Sequence, residues 1–386
     1  MTEVAHSLRV EFITETWPPE INGVARTLEA LVNGLRARGH RVGVVRPRHH
    51  GGTDSHGPAE LLVPGMGLPG YPGVRLGLPA GRELRRRWAE ARPDVIYIAT
   101  EGPLGHSALR QARRLGIPVV AGFHTNFDAY SGHYHLGLLR RPVEAYLRRF
   151  HNRATTTLVP SAEGRERLIQ RGFQRLALLG RGVDTELFDP HRRSQALRAE
   201  WGAGPETPVA LHVGRIAPEK NIEGLIDAFR TIRQRVPECQ LVVVGDGPAT
   251  ERLAAALPEL ILAGPRTGGD LARHYASGDL FVFPSQTETF GNVVTEAMAS
   301  GLAVVAFNRA AAGRYLRDGF NGRLVEPEDD TGFNTAAAEL AADPEARARM
   351  GQAARETAQG IGWEAVIEEF ENRLRAVTNS SDGRAA

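Results

Sequence analysis

PSQTETFGNVVTEAMASG, Pro284 to Gly301, decides how this chain is read. An apolar run, Asp279 to Phe283 (DLFVF), precedes it as a strand would, and Val293 to Ser300 follows with helical spacing. The polar, glycine-containing turn between them puts Glu288 in a loop at a strand's carboxyl end. Asn292 reads as the N-cap, which places Glu296 near the start of the helix. Two carboxylates with seven residues between them therefore point into one crevice, beside backbone N–H groups that have no helical partner. Carboxylates accept from hydroxyls and free N–H groups take anionic oxygens, so the pair suits a polyhydroxylated, negatively charged ligand, as a sugar nucleotide is. Two glutamates at this spacing also occur as solvated surface charges, so the surrounding sequence has to decide.

Upstream, strand Val209–Val213 leads to Gly214-Arg215, then to IAPEKN and helix Ile222–Val236. Strand Gln240–Val244 leads to GDGP and helix Thr250–Leu257; strand Leu260–Leu262 precedes Gly264–Arg266 and helix Leu271–Ala276. Strand Ala303–Phe307 follows the glutamate motif, and Asp343–Thr357 and Trp363–Val377 are helical. The first half alternates in the same way. Strand Leu8–Thr14, the loop WPPEING, helix Val24–Arg38 closed by Gly39, and strand Arg41–Arg46 make one βαβ unit. Strand Asp94–Ala99, helix Leu104–Leu115 and strand Pro118–Phe123 follow, then helix Pro142–His151, strand Thr156–Val159, helix Ala162–Arg171 and strand Leu176–Leu179. Arg48–Pro58 reads as a mobile loop, Pro64–Gly81 as irregular, and the last ten residues as disordered. Two such series predict an α/β chain of two Rossmann-like, doubly wound parallel-sheet domains facing across a cleft. The expected divisions are 1–193, 194–360, a returning helix at 361–377 and a tail at 378–386.

The composition is that of a soluble globular protein: 42% hydrophobic and 24% charged over 386 residues. No apolar run reaches membrane-helix length, the amino terminus is interrupted by Glu3, Glu11 and Glu15, and Cys239 stands alone. Cytoplasm is the expected compartment. Residues 1–195 hold 28 Arg against 18 acidic residues, and the remainder holds 19 basic against 27 acidic. A basic first half suggests an anionic partner, either a phospholipid surface or an acidic acceptor. Arg140, Arg141, Arg148, Arg149 and Arg153, beside Leu136, Leu138 and Leu139, are candidates for peripheral contact with the inner face of the plasma membrane; the plainer alternative is a solvated helix face. No finger, helix-turn-helix or RNP-like pattern points to nucleic acid.

Of 47 basic residues only Lys220 is lysine. A compact ammonium is suited to phosphate in a way a planar guanidinium is not always. Arg215 and Lys220 both follow the first strand of the second series, before a helix, where they can converge on one diphosphate. The alternative is a surface role, with Arg215 on a nearby carboxylate and Lys220 on Glu219 or Glu223. No Asp-x-Asp signature is present and no metal or cofactor is expected, so the two cations would stabilise a departing diphosphate as a divalent ion does elsewhere. His124 stands at a strand's carboxyl end, where open α/β sheets bind ligands; His133 and His135 lack the neighbours of a metal site.

From ETWPPEINGV through HVGRIAPEKN and VGDGP to TETFGNVVTEAMASG, the chain resembles the retaining glycosyltransferases of family 4, which have the GT-B fold. It is most similar to GDP-mannose-dependent α-mannosyltransferases and related glycolipid glycosyltransferases. The resemblance implies transfer of a hexose from a nucleoside diphosphate sugar to a glycolipid or glycan hydroxyl. It implies that Glu288 contacts sugar hydroxyls, Glu296 the ribose, Arg215 and Lys220 the diphosphate, and His124 the transferred sugar. Gly23 would let the first loop approach the diphosphate. Phe290, Gly291 and Asn292 would complete the sugar pocket, with Gly214, Arg266 and Val293 in the donor set. Thr289 stands where many members carry glycine, and Trp17 enlarges the first loop.

Three other readings compete. A sugar-nucleotide epimerase or a phosphorylase can use the same scaffold. A dehydrogenase is disfavoured because the first strand–loop–helix unit, with its loop WPPEING, lacks the Gly-x-Gly-x-x-Gly spacing. A non-catalytic carbohydrate-binding module does not need paired acids beside paired bases.

Overall fold

The computed structural model describes residues 6–18, 20, 23–48, 57, 59–68, 71–124 and 140–382. The chain divides into two compact units. The first takes the described residues up to 124, then 140–180 and 364–382; the second takes 181–363.

The first unit is built on a parallel sheet of β1 (Arg9–Ile13), β2 (Arg41–Pro47) and β3 (Glu60–Val63), joined after an antiparallel pair, β4 (Gly65–Leu68) and β5 (Tyr71–Gly77), by β6 (Val95–Ile98), β7 (Val119–Gly122), β8 (Thr156–Val159) and β9 (Leu176–Leu178). The order is β3-β2-β1-β6-β7-β8-β9. The reversal of order beside β1 leaves the carboxyl ends of β1 and β6 diverging, which is where such sheets take ligands. Val10, Phe12 and Ile13 are fully buried because helices cover a parallel sheet on both faces. Helix Gly23–Ala37 buries Leu28, Leu31, Val32 and Leu35 along one stripe.

The final helix, Trp363–Asp382, completes this unit. Phe370 packs with centroids 6.0 Å from Phe12 and 5.0 Å from Tyr97, and Glu371 takes Arg38 and His40, each at 3.1 Å. A Cβ at Gly34 would lie 2.2 Å from Ile367 Cδ1, so the small residue is what lets the final helix settle on helix Gly23–Ala37.

The second unit repeats the plan with β10 (Val209–Val213), β11 (Gln240–Val244), β12 (Ile261–Gly264), β13 (Leu280–Phe283), β14 (Ala303–Phe307) and β15 (Arg323–Val325), in the order β12-β11-β10-β13-β14-β15. Leu211, Val242 and Phe281 enter the core on one face, Ala210, Leu241 and Val282 on the other. The side chain of Arg198 is completely buried; its Nη1 and Nη2 are satisfied by Asp279 at 2.9 Å and the carbonyls of Ser277, Gly204 and Thr207, while its Nε has no partner.

Four expectations need correction. The stretch Pro64–Gly81 is not irregular: Gly65 pairs with Gly77 and Met66 with Leu76 in an antiparallel ribbon, since backbone pairing tolerates its glycines. The last ten residues are not uniformly disordered, because the final helix runs to Asp382, with Arg375 tied to Glu371 and to the His6 carbonyl. The chain passes between units at Gly180–Arg181 rather than after Arg193. Phe188 already meets Tyr275 edge-to-face, and Asp189 binds Arg355 at 2.7 Å, inside the second unit. Lastly, Gly291 rather than Asn292 caps the helix after β13. Most of Arg48–Pro58, all of His133, His135, Leu136, Leu138 and Leu139, and Asn22 lie outside the described residues.

Candidate active site

Two loops at the carboxyl ends of the adjacent strands β10 and β13 form the centre of the second unit. After β10 the chain passes through Gly214 and Arg215 into a short 3-10 turn, Pro218–Lys220, and then helix Ile222–Arg235. Asn221 joins the two in a left-handed conformation (φ 55°), its carboxamide oxygen accepting from Gly224 N. Its Nδ2 donates to the Pro284 carbonyl at 3.1 Å, and Thr287 Oγ1 donates to the Glu219 carbonyl at 2.6 Å. These two bonds stitch the basic loop to the acidic one.

The stitching brings Lys220 and Glu288 together. Lys220 Nζ lies 2.5 Å from Glu288 Oε1, and Ser285 Oγ donates to the same oxygen at 2.8 Å. Lys220 therefore pairs with neither Glu219 nor Glu223. Arg215 takes the surface alternative: its side chain is 57% exposed and pairs with Glu219 at 3.0 Å, one helical turn's spacing away. Such an exposed pair is weak, and the guanidinium is easily drawn to a stronger anion.

Gly291 caps helix Asn292–Ala299 at φ 87°, a conformation that favours glycine, and leaves the first N–H groups of that helix pointing out of its amino end. Glu296 is one turn further on, 9% exposed, and accepts from the Tyr275 hydroxyl at 2.9 Å. Phe290 is buried, whereas Gly291, Asn292 and Val293 are half-buried. Behind β10, a Cβ on Gly245 would fall 1.9 Å from the Gly214 carbonyl oxygen, so the GR and GDG loops are in backbone contact and only glycine fits there.

Two residues of this site escaped sequence reasoning. Arg181 is buried, with Nη1 3.4 Å from Asn292 Oδ1 and its guanidinium 5.8 Å from the Phe290 ring centre. Its flanking glycines in GRGVD were the available signal. His212, on β10, donates Nδ1–H to the Val282 carbonyl at 2.9 Å; burial pushes its pKa down to about 4, so it adds no charge near Lys220 at neutral pH. Arg266 follows the edge strand β12 and binds Asp270 at 3.2 Å and the Ala263 carbonyl at 2.9 Å, apart from the Lys220–Glu288 pair.

The remaining candidates belong to the first unit. Gly23 opens helix Gly23–Ala37, its carbonyl accepting from Thr27 at 2.6 Å. His124 follows β7 after Phe123, with Nε2 3.1 Å from the Tyr97 hydroxyl. Glu15, after β1, is buried and accepts from the backbone N–H of Leu104 at 3.0 Å; burial pushes its pKa up to about 7. Among the described residues, no group of three or more His, Cys, Asp or Glu could hold a metal ion, and no helix is long and apolar enough to cross a membrane.

Comparison with known proteins covers both units. Residues 21–187 match the model described as Glycosyltransferase Family 4, and residues 193–357 the model described as Glycosyl transferases group 1. The chain is 34% identical over 388 residues to a GDP-mannose-dependent alpha-mannosyltransferase of Mycobacterium tuberculosis, covering 98% of this chain and 99% of the relative. It is 33% identical over 362 residues to a sulfoquinovosyl transferase of Arabidopsis thaliana, covering 91% and 70%. The solved sucrose-phosphate synthase of Thermosynechococcus elongatus superposes with a TM-score of 0.78 at 20% identity, over 97% of this chain and all of that one.

Proposed function

The chain belongs to glycosyltransferase family 4, with the GT-B fold of two Rossmann-like domains, and on that premise we propose that it moves mannose from GDP-mannose to an acceptor hydroxyl with retention at the anomeric carbon. The observation that carries this reading is the meeting of Lys220 with Glu288 in a loop that runs on into the helix bearing Glu296. One short segment thus offers a cation for a diphosphate, a carboxylate for hexose hydroxyls and a second carboxylate for a ribose. GDP-mannose is the choice of donor because that name belongs to the Mycobacterium tuberculosis relative, which is alike over nearly its whole length.

In the proposed reaction the bond between the anomeric carbon and the β-phosphate oxygen breaks, and the acceptor oxygen bonds to that carbon on the same face. The acceptor's proton passes to the departing phosphate. Charge grows on the phosphate as the bond stretches, so the Lys220 ammonium, with Arg215 turned from Glu219, stabilises the transition state more than the ground state. Glu288 holds the sugar hydroxyls, Glu296 the ribose, and the N–H groups at Gly291–Val293 the sugar oxygens. No metal takes part in this scheme.

The acceptor class we propose is a glycolipid or cell-envelope glycan reached from the cytoplasmic side, with the enzyme resting on anionic lipid. Exposed Arg148 and Arg149 on helix Arg140–His151, together with Val143 and Tyr146 at 38% and 40% exposure, support that contact. Binding to anionic vesicles then weakens as salt rises; failure to sediment with them removes this part.

The deciding experiment is a thermal-shift and transfer screen with GDP-mannose, UDP-glucose and UDP-N-acetylglucosamine, followed by assignment of the product's anomeric configuration by NMR. Stabilisation by GDP-mannose and an α-linked mannoside are expected. A UDP-sugar as the only donor transferred replaces the donor assignment, a β-linked product rules out retention, and epimerisation without acceptor replaces transfer.

A further inference from the structure

The ammonium assigned to the diphosphate and the carboxylate assigned to the hexose are bonded to each other. Lys220 Nζ and Glu288 Oε1 are 2.5 Å apart, and their side chains are only 23% and 13% exposed. Water screens such a pair less than it screens a surface one. The carboxylates next along the chain are engaged elsewhere, Glu219 by Arg215 and Glu223 by Arg252 at 2.9 Å. Lys220 is also the chain's one lysine, so no second ammonium can replace it on either partner.

We propose that Glu288 and the diphosphate compete for Lys220, and that the transferred hexose relieves the competition, so that the pair senses whether a sugar is still attached. The inference rests on the site reading given above. A phosphate that draws the ammonium toward itself leaves Glu288 a half-buried carboxylate short of its cation, which is unfavourable. Hexose hydroxyls donate to that carboxylate and offset the loss. A bare nucleoside diphosphate brings the phosphate without the hydroxyls and meets the full penalty. The intact donor is therefore favoured over the spent nucleotide. After transfer, Glu288 reclaims Lys220 and helps to expel the leaving diphosphate.

Calorimetric titration with GDP, UDP, GDP-mannose and UDP-glucose tests this on the full chain, on Glu288→Gln and on Lys220→Ala. Glutamine keeps an oxygen for Ser285 and nearly the same shape but gives up the charge. Glu288→Gln is expected to bind the preferred free diphosphate about fivefold more tightly, the usual size of one partly screened ion pair. It also narrows the preference for intact donor over diphosphate, and Lys220→Ala weakens both ligands. Should Glu288→Gln lose its cooperative melt, Glu288→Asp, whose shorter arm loosens the pair, is expected to give the same direction at about twofold.

Two failures are distinguishable. If neither diphosphate binds the wild type, or if Lys220→Ala binds as well as wild type, the site reading falls and the competition with it. If Lys220→Ala binds weakly while Glu288→Gln binds no more tightly than wild type, Lys220 stays a diphosphate ligand and the competition is overturned.

Discussion

Tyr275 donates its hydroxyl hydrogen to Glu296 Oε2 across 2.9 Å, from a ring that is itself fully buried. The bond fixes the direction of a carboxylate that has little room to turn. Tyr275→Phe keeps the ring and removes the donor, which costs roughly 1–2 kcal/mol where a buried acceptor loses a partner. Urea unfolding should show that loss, and steady-state kinetics should show a higher KM for the sugar nucleotide with kcat nearly unchanged. An unaltered KM would separate Glu296 from donor binding.

Lys220→Ala should reduce kcat by about a hundredfold or more, as removal of a preorganised charge stabiliser does. Lys220→Arg should recover only part of it, because a planar fork does not occupy the place of a compact ammonium beside Ser285 and Glu288. Full recovery by arginine would mean that positive charge alone suffices.

Glu15 makes stability depend on pH. Its folded pKa is raised from 4.5 to about 7 by burial, with the neighbouring Glu101 adding to the rise. Between those values the folded state holds a proton that the unfolded chain has released. The contribution is thus fully present below pH 4.5 and is lost as pH climbs through 7, by up to roughly 3 kcal/mol. Denaturant titrations at pH 5 and pH 8 should show the fall. Glu15→Gln, which still accepts from Leu104, should flatten it, and an unchanged slope in that variant would assign the effect elsewhere.

Phe370→Ala should destabilise the first unit by about 3–5 kcal/mol, as a fully buried aromatic replaced by a small residue does. The loss falls on the packing with Phe12 and Tyr97, so hydrogen exchange should rise around β1 and β6 and stay level in β10 to β14. An even rise through both units would contradict the assignment of the final helix to the first unit alone.

Much of this was legible because its signals are local. Val209–Val213 and Gln240–Val244 are short apolar runs bounded by turn residues, and their sequence limits coincide with the strands. The approach of Lys220 to Glu288 was less visible, since it depends on two long-range bonds, Asn221 to Pro284 and Thr287 to Glu219. Helix Asp330–Ala342 gives little signal in the sequence because alanines carry its buried face, with Phe333 and Leu340 as its only large buried residues. The cap assigned to Asn292 shifted by one residue because Gly291 can take the left-handed conformation that closes the turn. Arg181 was hidden by its setting: a lone cation in a polar, irregular stretch gives no periodicity to betray its burial.

Among the described residues the second unit is one unbroken segment, 181–363, whereas the first resumes after it and is completed only by the final helix. On the ribosome this order has a cost. The first 180 residues emerge without the helix that covers Phe12 and Tyr97, and at ordinary translation speeds they wait on the order of ten seconds or more for it. The nascent amino-terminal half therefore carries an uncovered aromatic surface during synthesis, and a premature stop anywhere before residue 364 leaves that surface open for the lifetime of the product.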